Sequence, residues 1–545
     1  MRTSPSRDVG GTFTGLYAGW RRVLLNLILV VTAFVVLGHP PAHAQKRGGV
    51  MHAIINPEPP ILAVGIVSNT PTQTVGGKIF SALLTYGFDL KPIPNLAESY
   101  EISADGLKYT FKLRKGVKWH DGKPFSADDV VFSFSKLLPE VNPRARINFA
   151  RAQSITSPSP DTVLITLKEP FPPFIYAFDV ATAPILPKHI YEGTDYRNNP
   201  ANSNPIGTGP FKLKEWKKGS YIHLVRNDDY FKPGQPYLNE LFFQVIPDAG
   251  QRVVALETQK VHMAAFSDIE WYEVTRMKAM RHLELTTKGY EMYAPVSWLD
   301  MNHSRKPFDD KRFRQAMMHA HDRQFMRDNL FFGLGRIAHG PINSVTQFYD
   351  ESALTKYGYD LKKAEALLDE MGLKKGPGGV RAKVEMIVMP YGEVWQRVAE
   401  YSKQQLKRIG IDVTLKNTDV AGFNQACANF EYDLTWQYLF QFGDPAIGVA
   451  RSYISSNINK GVMFTNTHQY RNAQVDEAFD KGAVARSREE RQNWYSKVQK
   501  ITTDEVAVGW MHEVEFPTFI NKKFKNVVTT GLGVNESFDA VYLAD

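Results

Sequence analysis

One cysteine, Cys427, stands in 545 residues, so no internal disulfide can form and stability has to come from buried apolar surface. A lone cysteine in such a segment reads as a small core residue, not a nucleophile. Motifs with mechanical content are absent too. There is no Gly-x-Ser-x-Gly elbow, no His-Glu-x-x-His, no Cys-x-x-Cys and no phosphate loop, so hydrolase and metalloenzyme readings have no starting point. The 14 histidines show no ligand spacing, and neither a metal site nor a cofactor is expected. No block of Lys and Arg interrupts the mixed charge pattern, which argues against nucleic acid as partner.

Only one long apolar run occurs, from Val23 to Gly38. It follows Arg2, Arg7, Arg21 and Arg22 and precedes Ala42-His43-Ala44, the order of a secretory signal cleaved after Ala44. Its 16 residues fall short of the roughly 20 a membrane-spanning helix needs, which favours a cleaved signal over the alternative of an uncleaved anchor. The paired Arg21-Arg22 also fits a twin-arginine signal. No cysteine follows to carry a lipid. Removing residues 1–44 leaves 501, more than one core supports, so two or three lobes are expected in a soluble, periplasmic protein. Of the formal net charge of +8, the first 44 residues carry +3.

Periodicity divides the remainder. A strand over Val50–Ile55 precedes the turn Asn56-Pro57-Glu58-Pro59-Pro60. Period-two alternation in Tyr109, Phe111 and Leu113, and in Val163, Ile165 and Leu167, makes the stretch between Tyr100 and Leu167 β-rich. Ser126-Ala127-Asp128-Asp129 and Ser487-Arg488-Glu489-Glu490 read as capping boxes that open helices. Further on, helices with 3.6-residue periodicity alternate with short strands. One starts near Asp309 or Asp310 and buries Phe313, Ala316, Met317 and Ala320. Another is capped by Asp360 and buries Leu361, Ala364, Leu367, Leu368 and Met371. A third runs from Glu393 to Gly410 and feeds the strand Ile411, Val413, Leu415.

Several stretches carry more than periodicity. Residues 96–130 include Leu96-Ala97-Glu98-Ser99-Tyr100, Gly116-Val117-Lys118-Trp119-His120-Asp121-Gly122-Lys123-Pro124-Phe125 and Asp128-Asp129-Val130. Ile206-Gly207-Thr208-Gly209-Pro210-Phe211, then Asn302 through Lys306-Pro307-Phe308-Asp309-Asp310-Lys311-Arg312-Phe313-Arg314-Gln315-Ala316, then Asn472 to Asp476 follow in order. This text closely resembles the family 5 solute-binding proteins, the peptide and nickel binders of ABC importers. The resemblance implies an α/β, periplasmic binding protein type II-like fold, with two hinged lobes and a β-rich domain inserted in the first. The first lobe would use residues 45–97, 205–295 and 511–545, the insertion 98–204 and the second lobe 296–510. It also implies capture of a peptide or peptide-like solute in the cleft, without catalysis. The partners implied are an ABC permease and ATPase complex in the inner membrane, with the binding protein itself a monomer. A non-peptide solute, such as an oligosaccharide, an opine or another conjugate, is the alternative on the same scaffold.

Two motifs invite a chemical reading that the residues do not favour. His120-Asp121 lies in a turn, where Asp and Gly supply geometry. Gly207-Thr208-Gly209 lacks the third glycine and the helix of a nucleotide loop. For ligand binding, dipeptide binders of the resembling family clamp a zwitterion with an arginine before a Pro-Tyr and an aspartate three residues before an Asp-Pro. Here the first place holds Met389, before Pro390-Tyr391, and the second holds Gln441 counted back from Asp444-Pro445 or Leu439 in the register anchored on Trp436, so neither the arginine nor the aspartate is present. Losing both ends argues against a short free dipeptide. The candidates are then Ile61, Met389, Tyr391, Trp436, Tyr438, Phe440, Gln441 and Asp444, with aromatic faces holding a longer, modified or neutral solute. Asp444 either faces the cleft or caps its Phe-Gly-Asp-Pro turn.

Overall fold

Three sheets organise the chain in this computed structural model, which describes residues 47–67 and 69–544. The expected signal segment lies outside them. No helix among the described residues is long and apolar enough to cross a membrane.

The first sheet has seven strands, in the order Leu283–Thr286, Thr518–Asn521, Met263–Ala264, Val50–Ile55, Glu240–Val245, Tyr221–Arg226 and Phe211–Lys217. Val50–Ile55 pairs in parallel with both of its neighbours, and the remaining pairs are antiparallel. The second sheet has six strands, in the order Arg336–Ile337, Gly509–Glu513, Val296–Met301, Leu434–Leu439, Ala382–Ile387 and Ile411–Lys416. Its last three run in parallel, which needs the crossover helices that the sequence periodicity marks.

Two segments, 287–295 and 514–517, carry the chain between these sheets, and they are tied together where the Val514 N–H donates to Pro295 O at 3.0 Å. The return to the first sheet falls after Glu513, because Gly509–Glu513 is still paired with Val296–Leu299.

The third sheet is four-stranded and antiparallel, in the order Ala97–Ile102, Lys108–Leu113, Thr162–Leu167 and Ala152–Ser159. Tyr109, Phe111, Leu113, Val163, Ile165 and Leu167 all point inward, as period two requires. They meet an aromatic cluster in which Phe111 and Phe178 lie 4.7 Å apart and Phe134 stacks on Phe149 at 4.5 Å.

Helix starts follow the capping residues. Ser126 N–H donates to Asp129 Oδ2 at 3.0 Å, and Ser487 Oγ accepts from the Glu490 N–H at 3.1 Å. Asp310 and Asp360 cap Lys311–Ala320 and Leu361–Glu370. Lys311–Ala320 buries the expected Phe313, Ala316, Met317 and Ala320. In Leu361–Glu370 only Ala364 and Leu368 are fully buried, while Leu361, Leu367 and Met371 are half-covered, because this helix lies on the outside against Lys311–Ala320. The buried thiol of Cys427 is pushed up by burial, so it stays protonated.

Candidate functional site

In open α/β sheets ligands gather beyond the carboxyl ends of parallel strands, where loops are free to vary over a rigid base. Here that edge comprises Met389–Tyr391, Asn417–Thr418 and Phe440–Asp444. A pocket of about 290 Å³ is lined by Val388, Met389, Pro390, Gly392, Gln396, Asn417 and Thr418. Tyr391 sits beside it, half-buried, with its hydroxyl donating to Asn424 Oδ1 at 3.3 Å.

Strand geometry places Trp436, Tyr438 and Phe440 in one row, because alternate residues share a face. The row climbs out of the core. Trp436 is 1 % exposed, its indole N–H donates to Ser402 Oγ at 3.2 Å, and His321 and Trp395 close over its ring. Tyr438 is half-buried, stacks on Trp395 at 5.4 Å and meets Phe516 of the second crossing segment at 6.0 Å. Burial pushes its hydroxyl up to about 12, so it is a neutral donor at physiological pH. Phe440 is half-buried and lies 5.2 Å from Tyr293 of the first crossing segment. The aromatic row thus begins as core and ends as a seam between the two sheets.

Behind the seam the polar groups are spoken for. Gln441 is buried, with its amide N–H donating to Pro341 O at 2.8 Å and its Oε1 accepting from the Asn343 N–H at 3.0 Å. Asp444 has its two oxygens 2.8 Å from Arg491 Nη2, and Oδ1 also accepts from the Ala446 N–H at 3.0 Å. Of the two roles open for Asp444, the geometry gives the capping one and adds a buried ion pair. Burial pulls Arg491 down, but the Asp444 carboxylate outweighs it and holds the guanidinium above its usual value. Ile61 lies apart from the row; it is half-buried and its carbonyl accepts from the Thr72 hydroxyl at 3.0 Å.

The turn itself is under constraint. Phe442 takes the left-handed region at φ +49, which a bulky side chain adopts at a cost. Gly443 takes φ +74, and a Cβ there would press on Met292 Sδ at 3.0 Å and Tyr176 Cδ1 at 3.1 Å, so the turn favours glycine. Phe442 then meets two groups that no spacing in the sequence signals. The Arg144 guanidinium lies 4.0 Å from its ring centre and the Arg451 guanidinium 5.5 Å. Burial, and then the charge of Arg144, pull Arg451 down to about 9, still a cation at neutral pH.

The two motifs set aside on sequence grounds take structural places. The Gly207 N–H donates to His120 Nδ1 at 3.2 Å, so Nε2 carries the proton and donates to Gly209 O at 2.9 Å. Burial pulls His120 down to about 4, which keeps the ring neutral. Asp121 instead accepts from His189 Nε2 at 2.8 Å. A Cβ on Gly207 would stand 1.9 Å from Ile79 O, so the glycines serve close backbone approach to the end of the helix Thr70–Ile79. Among the described residues no group of three or more His, Cys, Asp or Glu is placed to hold a metal.

Comparison with known proteins bears on the same stretch of chain. The family profile described as bacterial extracellular solute-binding proteins, family 5 middle, matches residues 91–460. The oligopeptide-binding protein AppA of Bacillus subtilis (strain 168) is 31 % identical over 430 residues, covering 75 % of this chain and 76 % of that protein. The dipeptide-binding protein of Escherichia coli (strain K12) is 31 % identical over 346 residues, covering 59 % of this chain and 63 % of that protein. Among solved structures, Bacillus subtilis AppA in complex with a nonapeptide superposes with a TM-score of 0.78 at 25 % identity, over 92 % of this chain and 100 % of that one. NikZ from Campylobacter jejuni in complex with Ni(L-His) gives a TM-score of 0.75 at 26 % identity, over 90 % and 97 %.

Proposed function

This chain belongs to the bacterial extracellular solute-binding proteins of family 5, and from that premise we propose that it is the substrate-binding component of an ABC importer, capturing a peptide or peptide-like solute. Its fold is the α/β type II periplasmic binding fold. The observation that carries the reading is the seam at the carboxyl edge of the second sheet. There a row of aromatic faces emerges beside two crossing segments that join the sheets. Such a seam offers apolar grip with few fixed polar demands, which suits a peptide held largely by its backbone and its rings.

Capture proceeds by hinged closure about residues 287–295 and 514–517. The free energy of closure comes from contacts that exist only in the closed state, and the closed surface is what a permease and ATPase complex in the inner membrane recognises. We assign the first lobe to residues 45–97, 205–295 and the tail beyond Glu513, the insertion to 98–204, and the second lobe to 296–513. The solute is trapped and released without chemical change. The protein acts as a monomer in the periplasm after cleavage near Ala44.

The test is a mass-spectrometric inventory of small molecules released on denaturing the purified protein. About one equivalent of peptide or peptide-like solute is expected. Release of a sugar or opine instead would move the assignment to the non-peptide alternative, and turnover of any trapped compound would overturn the binding role.

A further inference from the structure

Unpaired cations are rare in half-buried positions, because desolvation is compensated only when an opposite charge or several acceptors are near. Arg144 and Arg451 break that pattern together. Both are half-buried, both guanidinium groups lie within 5.5 Å of the Phe442 ring centre, and among the described residues neither is in an ion pair. Arg451 spends Nε on Gly448 O at 3.1 Å and Nη2 on Phe440 O at 3.0 Å, which fixes the plane of its fork and leaves Nη1 with no protein acceptor. The acid that Arg144 feels most is Asp179, but one Asp179 oxygen is already held by the Ala181 and Thr182 N–H groups, at 2.8 and 3.0 Å.

Two like charges at one ring raise each other's energy, and an anion between them relieves it. Planar guanidinium forks match the geometry of carboxylate and phosphate. We propose that Arg144 and Arg451, gathered at the Phe442 ring, form a subsite for an oxyanion of the captured solute, a carboxylate or a phosphate. This deepens the peptide-binding reading and rests on it. It also departs from the expectation of a neutral solute, since the sequence shows the loss of the clamp known from dipeptide binders but not this replacement.

The probe is an enzymatic casein hydrolysate, offered to protein stripped of its contents by unfolding and refolding. Peptides retained after desalting are counted by mass spectrometry. Wild type should capture peptides from the untreated hydrolysate and lose at least tenfold of that capture when the hydrolysate is both dephosphorylated and methyl-esterified. Each treatment alone then tells which oxyanion is read. The double variant Arg144→Gln/Arg451→Gln should capture at least tenfold less of the untreated mixture, whereas Arg144→Lys/Arg451→Lys should recover part of it. Equal capture of the doubly treated and untreated mixtures by wild type, an arm that needs no variant to fold, would overturn the subsite alone. Wild type that retains nothing from any mixture would overturn the peptide reading and the subsite with it.

Discussion

The Phe-Gly-Asp-Pro turn has a saturated side and an unsaturated one. On the inner side Asp444 and Arg491 neutralise each other and Gln441 is engaged at both ends of its amide. On the seam side, a few residues away, Arg144 and Arg451 share a phenyl ring, and among the described residues neither is in an ion pair. Charge that is already answered by the protein builds the scaffold, and charge left unanswered beside a seam is available to a solute.

The sharpest way to break this contrast is Arg491→Ala. Removing one partner of a buried pair leaves Asp444 uncompensated, so about 3–5 kcal/mol of stability should be lost in urea unfolding. A loss below about 1 kcal/mol would mean that the pair does not anchor the fold. The same substitution at Arg451 should cost less stability and more capture.

A pH titration separates the two sides differently. His120, at about 4, and His303, at about 3, are held neutral by burial, below their unfolded value near 6.5. The unfolded chain therefore binds more protons as pH falls, and this stability is present above pH 6.5 and drains away toward pH 4. Asp268 and Asp300, both raised to about 7 by burial, oppose it, since their contribution is lost as pH rises toward 7. Seven histidines are lowered strongly, with burial the largest cause, against these two acids: His120, His262, His303, His321, His339, His468 and His512. Thermal midpoints should accordingly fall between pH 6.5 and 4.5, while capture of peptides that bind through a carboxylate, which stays ionised above about pH 5.5, should stay level from pH 6.5 down to about 5.5.

Smaller effects sharpen the picture. Tyr438→Phe keeps the ring and opens no core, so stability should stay within about 0.5 kcal/mol and, because the seam grips through aromatic faces, peptide capture should change by less than about twofold. Asp121→Asn breaks a partly exposed pair with His189 and should change stability by about 0–1 kcal/mol with capture unaltered. Reduced capture in Asp121→Asn would return His120-Asp121 to the list of functional groups.

Much of this architecture was legible from local rules. Periodicity and caps located the helices at Asp310, Asp360, Glu393 and Ser487, and alternation located the third sheet, because those signals act within a few residues. The aromatic row was legible as residues, but its gradient from core to seam was not, since burial along a strand depends on what packs over each end. Asp444 stayed ambiguous because its partner Arg491 lies on a helix far along the chain. The arginines at Phe442 gave no signal at all: one follows the third-sheet hairpin and the other the second-sheet turn, and only the assembled fold brings them to one ring.

The central claim is closure of two halves on an unaltered solute, and small-angle X-ray scattering on stripped protein with and without casein hydrolysate tests it most directly. The account predicts a smaller radius of gyration with the hydrolysate, reversed when the peptides are removed and their masses are found unchanged. Bound peptide with an identical scattering curve, or recovered fragments shorter than the peptides supplied, would contradict it.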